Sequence, residues 1–180
     1  MDETLVGETA IALRGELVFA GYLPPVARAV QAIAFDKTPD TNWKVTWHQD
    51  LMFPFQRRVR SDEFILPSVK HGVDYARPPR DVLDNLLAVR LHLDDCDETN
   101  GPLRVSPGTH LLGIIPSAEI GTTVSKHGET SCIARTGDAV LLRPLLLHAS
   151  SQASAPKHRR VIHFVYHSGD SIAERWHRSL

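Results

Sequence analysis

The sequence predicts a mainly β fold, a sandwich or jelly roll with a short helical flank at its N-terminal side. Three observations carry that expectation. From residue 43 onward, short apolar or alternating stretches recur, turn-forming residues separate them, and no regular exchange of strand and helix patterns marks βαβ units. A chain of 180 residues can bury one sizeable core and is short for two. A single domain over residues 1–180 is therefore expected.

Taken in order, residues 1 to about 20 are mixed, with Gly7, Gly15 and Gly21 interrupting any period, and short irregular pieces are expected there. Pro24-Pro25 suits a first helical turn, and Val26, Ala29, Val30 and Ile33 share one helical face, which predicts a helix to about Phe35. Asp36 to Asp40 closes it as a loop. Trp43 to His48, aromatic and β-branched, reads as a strand. Residues 51–84 read as loop, with a solvated charge run at Arg57 to Glu63, a later part suited to arch over a pocket, and a short helical turn from Asp81.

Order returns at Leu87 to Asp94. There, alternation puts Val89, Leu91 and Leu93 on one face and Arg90, His92 and Asp94 on the other. Asn100-Gly101 supplies a turn, Leu103 to Val105 a short strand, and a loop with one helical turn leads to about Gly128. Thr130 to Ala134, Ala139 to Leu142, Leu145 to Ala149 and Val161 to Tyr166 complete the strands. The tail after Gly169 reads as peripheral.

Composition excludes several classes of function. Apolar residues make up 42% of the chain and the formal net charge is -1, so no broad basic surface awaits nucleic acid or an anionic membrane. Partners of that kind are not expected. Cys96 and Cys132 are the only cysteines and form no CxxC, which suggests neither a disulfide framework nor a thiolate zinc site and fits a reducing, cytoplasmic setting. The start, Met1-Asp2-Glu3-Thr4, leads into no long apolar segment, and no stretch approaches the length of a membrane span.

The chemistry centres on His48-Gln49-Asp50. Residues two apart on a strand project from one face, so this imidazole and carboxylate can grip one metal ion. A third ligand is needed, and His148, ending the apolar run Leu145-Leu146-Leu147, is the natural donor. Two histidines and a carboxylate with open positions form the arrangement of non-haem Fe(II) oxygenases. The triplet is weak evidence alone, since roughly one such spacing arises by chance among so many histidines and aspartates. His92-Leu93-Asp94 repeats it on another predicted strand. The surroundings favour the first: Arg159 stands in a strand expected to return beside His148, where its guanidinium can fork onto a carboxylate, and Ser150 shares the face of His148.

The order H-Q-D, then D-D-x-D-E-x-N-G-P-L-R-V-x-P-G-T-H, then G-D-x-V-x-x-x-P-L-L-x-H-x-S and an arginine, resembles the phytanoyl-CoA dioxygenase family of Fe(II)- and 2-oxoglutarate-dependent oxygenases. Those elements are His48 to Asp50, Leu93 to His110, Gly137 to Ser150, and Arg159, and the resemblance covers about residues 43–167. It implies a double-stranded β-helix, the cupin-like jelly roll. It also implies Fe(II) on His48, Asp50 and His148, and 2-oxoglutarate on Arg159 and Ser150. Family chemistry implies O2 as oxidant, with succinate and CO2 released as a substrate is hydroxylated. The carboxylate of Asp50 favours hydroxylation over halogenation. Members often carry tryptophan where this chain has Arg90, which is placed with the co-substrate residues as a second carboxylate contact or a contact to an acidic substrate. Arg57, Arg58, Lys70 and His71 suit an anionic substrate if they line the mouth. Lys44 reads as exposed, Trp47 as core, Gln49 as facing away from the metal, and His110 and His163 as structural. The rival readings are a zinc hydrolase or other cupin-like metal enzyme that does not use 2-oxoglutarate, and a binding barrel without turnover.

Overall fold

Helix α1 (Glu3–Phe19) opens the described chain, residues 3–169 and 172–180 of this computed structural model. It ends in a Schellman motif. Gly21 takes a left-handed φ of 78°, the Tyr22 N–H donates to the Leu17 carbonyl at 2.8 Å, and the Gly21 N–H donates to Val18 at 3.1 Å. This helix corrects the expectation of irregular structure. Gly7 and Gly15 each cost about 1 kcal/mol against alanine within a helix. Packing outweighs that cost: Ala10 and Leu17 are buried, and the Tyr166 hydroxyl donates to the Ala10 carbonyl at 2.8 Å.

The expected helix ending near Phe35 is a strand instead, β1 (Arg28–Lys37). From Gln31 onward its exposure alternates, which places Gln31, Ile33, Phe35 and Lys37 on the more buried face. A short apolar run fits both periods, and strand pairing decides between them. The remaining elements are β2 (Val45–His48), β3 (Phe53–Phe55), β4 (Ile65–Lys70), β5 (Val73–Arg77), α2 (Arg80–Asp84), β6 (Leu86–His92), β7 (Leu103–Val105), α3 (Ile120–His127), β8 (Thr130–Cys132), β9 (Ala139–Leu142), β10 (His148–Ser150) and β11 (Arg159–His167). Three sheets form, with strand orders β1-β11-β6-β9, β2-β10-β7-β8 and β3-β5-β4. The fold is mainly β, as expected. Among the described residues, no helix is long and apolar enough to cross a membrane.

Two compact units partition the chain. The first comprises residues 1–32, 51–88 and 164–180, and the second residues 33–50 and 89–163. In the first, the segment expected as loop forms the β3-β5-β4 sheet. Its β4–β5 hairpin turns on His71 and Gly72, both at positive φ, the signature of a two-residue turn that matches strand twist. The tail is not peripheral: the Trp176 ring stacks on Phe55 at 5.0 Å, and buried Glu174 accepts the Arg60 and Ser61 N–H groups at 2.7 and 3.0 Å.

In the second unit, β10 lies between β2 and β7, with His148 directly opposite both His48 and Val105. Two polar groups fix the approach to these strands. The buried Gln49 amide donates to the carbonyls of Gly113 and Leu145 at 2.7 and 2.6 Å and accepts the Ile115 N–H at 2.8 Å. The Thr109 hydroxyl accepts the Leu147 N–H at 3.0 Å. The Asn100-Gly101 turn also does more than reverse the chain. The Asn100 side chain bonds Lys157 N–H and the His158 carbonyl, holding the entry to β11, while a Cβ on Gly101 would meet the Ser151 oxygen at 2.8 Å.

Gln49→Leu removes three bonds and leaves backbone groups of the second unit unpaired. The expected destabilisation is about 3 kcal/mol in urea unfolding; a loss below about 0.5 kcal/mol contradicts this role.

Candidate metal centre

The β2–β10 register carries the site. Because His48 and His148 face each other across the ladder, their rings lie 4.2 Å apart, and Asp50, just beyond the end of β2, reaches both. Its Oδ1 is 3.6 Å from His48 Nε2 and its Oδ2 is 3.5 Å from His148 Nε2. One donor atom from each of the three residues falls within 4.8 Å of the others, and among the described residues no other group of this kind occurs. Both rings are oriented alike. His48 Nδ1 lies 2.8 Å from the Thr46 carbonyl and His148 Nδ1 lies 2.8 Å from the Leu146 carbonyl, so each Nδ1 donates to a carbonyl and each Nε2 faces Asp50. The donor set fits a divalent cation: two imidazoles anchored from behind, one carboxylate, and open space beside the half-exposed His48 and Asp50.

Charges in the site are strongly coupled. Burial works against ionised Asp50, but His48, His148 and His163 outweigh it and hold the carboxyl far below its ordinary range. Burial likewise opposes charge on His48, where Asp50 and the Thr46 carbonyl prevail and raise its pKa. Burial dominates at His148 and lowers its pKa.

The other expected site residues come to the same unit. Arg159 is 3% exposed and Ser150 is 4% exposed. One Arg159 N–H donates to the Gly101 carbonyl, while its Nε has no partner in the protein. Arg90 is buried on β6, its guanidinium 5.4 Å from the Phe35 ring centroid and its Nη1 3.4 Å from His163 Nδ1. Lys44 is exposed, and the half-buried Trp47 lies under Arg104 at 5.3 Å. Arg57, Arg58, Lys70 and His71 are exposed residues of the first unit. The competing triplet is otherwise engaged, since Asp94 holds the Arg160 guanidinium in a fork at 2.6 and 2.9 Å.

Two site residues escape the sequence reading. Lys37 is 1% exposed, and its ammonium donates to Ser150 Oγ at 3.1 Å and to the Ser151 carbonyl at 3.0 Å. Burial, then Arg159, lowers its pKa to about 8. His163, read as structural, places Nε2 4.0 Å from Asp50 Oδ2. Strand parity with Arg159 is the signal that could have found it.

A mainly β fold carrying a candidate metal site, built on an H-x-D pair and a distal histidine, is the class that fold and site define. The phytanoyl-CoA dioxygenase (PhyH) model matches residues 5–161, and the chain belongs to that family. No curated protein matches the sequence. Solved structures share the fold. EctD from S. alaskensis, in its apoform, is 18% identical at a TM-score of 0.57, over 79% of this chain and 45% of its own. AviO1 from Streptomyces viridochromogenes Tue57 is 20% identical at 0.58, over 86% and 57%. HygX from Streptomyces hygroscopicus, solved with nickel and 2-oxoglutarate bound, is 18% identical at 0.55, over 87% and 65%. The chain thus spans less than two thirds of the length of each.

His92 offers a pH test. It is buried, and burial, then Arg90, lowers its pKa from 6.5 to about 4. The unfolded chain therefore takes up this proton first, and stability is lost as pH falls from about 6.5 toward 4. His92→Leu is expected to flatten that part of the stability–pH curve in denaturant titrations. An unchanged slope contradicts the assignment.

Proposed function

We propose that this chain is an Fe(II)- and 2-oxoglutarate-dependent oxygenase that hydroxylates, or otherwise oxidises, a small molecule with release of succinate and CO2. The observation that carries the reading is the meeting, in one unit, of the His48-Asp50-His148 donors with the buried cations Arg159 and Lys37, the latter bonded to Ser150. His48, Asp50 and His148 would hold the iron, which supplies O2 activation driven by decarboxylation of 2-oxoglutarate. Arg159 and Ser150 would hold the far carboxylate of that co-substrate, and Lys37 reaches the same place through its bond to Ser150.

The chain's own contribution is orientation and charge. The Thr46 and Leu146 carbonyls fix the imidazole tautomers, and Asp50 offsets half of the ion's charge. The buried cations Lys37 and Arg159 create a demand for a carboxylate that a zinc hydrolase on the same donors would not have. The free cysteines, Cys96 and Cys132, suit a reducing cytoplasmic setting.

Anaerobic addition of Fe(II) and 2-oxoglutarate is expected to produce a visible metal-to-ligand charge-transfer band, and admission of O2 to yield succinate. His148→Ala is expected to abolish the band. Arg159→Ala raises the 2-oxoglutarate concentration needed by about tenfold or more. No band from the wild-type protein contradicts the function.

Lys37 adds a pH signature. Its ammonium favours a bound carboxylate, so 2-oxoglutarate affinity is expected to fall as pH rises through about 8. The same titration of Lys37→Met should lose that step; a step of equal size places its origin elsewhere.

A further inference from the structure

Asp50 has a third imidazole neighbour besides its two fellow donors. Its Oδ1 is 3.6 Å from His48 Nε2, its Oδ2 is 3.5 Å from His148 Nε2, and the same Oδ2 is 4.0 Å from Nε2 of His163. All belong to the second unit. The three rings differ in what faces their far nitrogen. His48 and His148 turn Nδ1 to the carbonyls of Thr46 and Leu146, which only accept, so in the neutral ring Nε2 is free of the proton and can bind an ion. His163 turns Nδ1 to Arg90, whose Nη1 lies 3.4 Å away. A guanidinium only donates, so this Nδ1 accepts and the ring's proton sits on Nε2. Burial, then Arg90, lowers the His163 pKa to about 4, which keeps the ring neutral. Phe35 backs the pair, edge-on to His163 at 6.2 Å and with its centroid 5.4 Å from the Arg90 guanidinium. The strand order β1-β11-β6 sets these three side chains on adjacent strands.

That tautomer has two consequences. An Nε2 that carries a proton has no lone pair for a metal, so His163 is kept out of the ligand set although it stands beside Asp50. The set stays at two imidazoles and a carboxylate, with its other positions open. Next, once the Nε2 atoms of His48 and His148 are given to an ion, they no longer serve the Asp50 carboxylate, and His163 is the imidazole left with a proton to donate. The gap of 4.0 Å is about 1 Å longer than a hydrogen bond, and an aspartate's χ2 torsion is broad, so a turn of the carboxylate closes it. We propose that His163 is a positioning residue that donates from Nε2 to Asp50 Oδ2 and orients this carboxylate for the metal, in a tautomer locked by Arg90. The inference rests on the metal centre of the proposed function and on no feature of the co-substrate.

Imidazole nitrogen NMR on the full chain, isotope-labelled at histidine and recorded before and after addition of Zn(II), reads the tautomer directly. His163 is expected as Nε2–H in both states, and Arg90→Met is expected to release it to a mixture with Nδ1–H. Co(II) affinity, measured by calorimetry, reads the positioning. His163→Phe keeps a ring and loses the donor, and should weaken Co(II) binding about tenfold or more. His163→Gln, whose amide N–H can stand in for Nε2–H, should stay within about threefold of wild type. Thermal melts confirm that the variants fold. Nδ1–H on His163 in the wild type, an unchanged Co(II) affinity in His163→Phe, or an equal loss in His163→Phe and His163→Gln overturns the inference. Failure of wild type to bind Co(II), with His163 still Nε2–H and dependent on Arg90, overturns the proposed function and leaves the Arg90–His163 lock standing.

Discussion

His48 and His148 are remote in sequence and opposite one another across the β2–β10 ladder. Everything else about the site depends on that register. A slip of one residue along β2 would turn His48 and Asp50 together to the other face of the sheet and take them away from His148. The groups that hold the register are accordingly polar, buried and satisfied: Gln49 ties the end of β2 to the segments at Gly113 and Leu145, and Thr109 ties the residue before β10. Their bonds are made to backbone, so they specify position rather than add bulk to the core.

The second constraint is electrostatic. The metal donors cluster around one carboxylate, while Lys37, Arg90 and Arg159 bring three cations into the same unit at 9% exposure or less. Without anions, each cation raises the cost of burying the others, which is why the Lys37 and Arg90 pKa values are depressed to about 8 and about 10, with burial the larger cause in both. Such a pocket is arranged for ligands rather than for stability. A metal ion on the donors and a carboxylate on the cations would relieve it.

Much of this was legible in the sequence where local pattern and tertiary structure agree. The strand expected over Leu87 to Asp94 forms as β6, ending at His92 and buried on both faces, the apolar run before His148 delivers that histidine to a buried strand, and the H-x-D spacing brings His48 and Asp50 together. What escaped did so for identifiable reasons. The Val26–Ile33 spacing satisfies a helical period as well as a strand one, and reading it as helix hid Lys37, whose burial is visible only once β1 alternates. Glycines inside α1 masked a helix that packing stabilises. Pro54 obscured β3, a strand completed by pairing with β5 and by an aromatic stack with Trp176 from the far end of the chain. His163 was assigned to structure because its approach to Asp50 depends on where β11 lies, not on its neighbours in sequence.

The central claim is that the β2–β10 register builds one metal centre from His48, Asp50 and His148. Anomalous diffraction at the iron absorption edge, on crystals grown anaerobically with Fe(II), tests it most directly. The account predicts one strong peak bonded to His48 Nε2, His148 Nε2 and an Asp50 oxygen at about 2.1 Å. A peak on His92 and Asp94 instead, or iron scattered over surface histidines with none between His48 and His148, would contradict it.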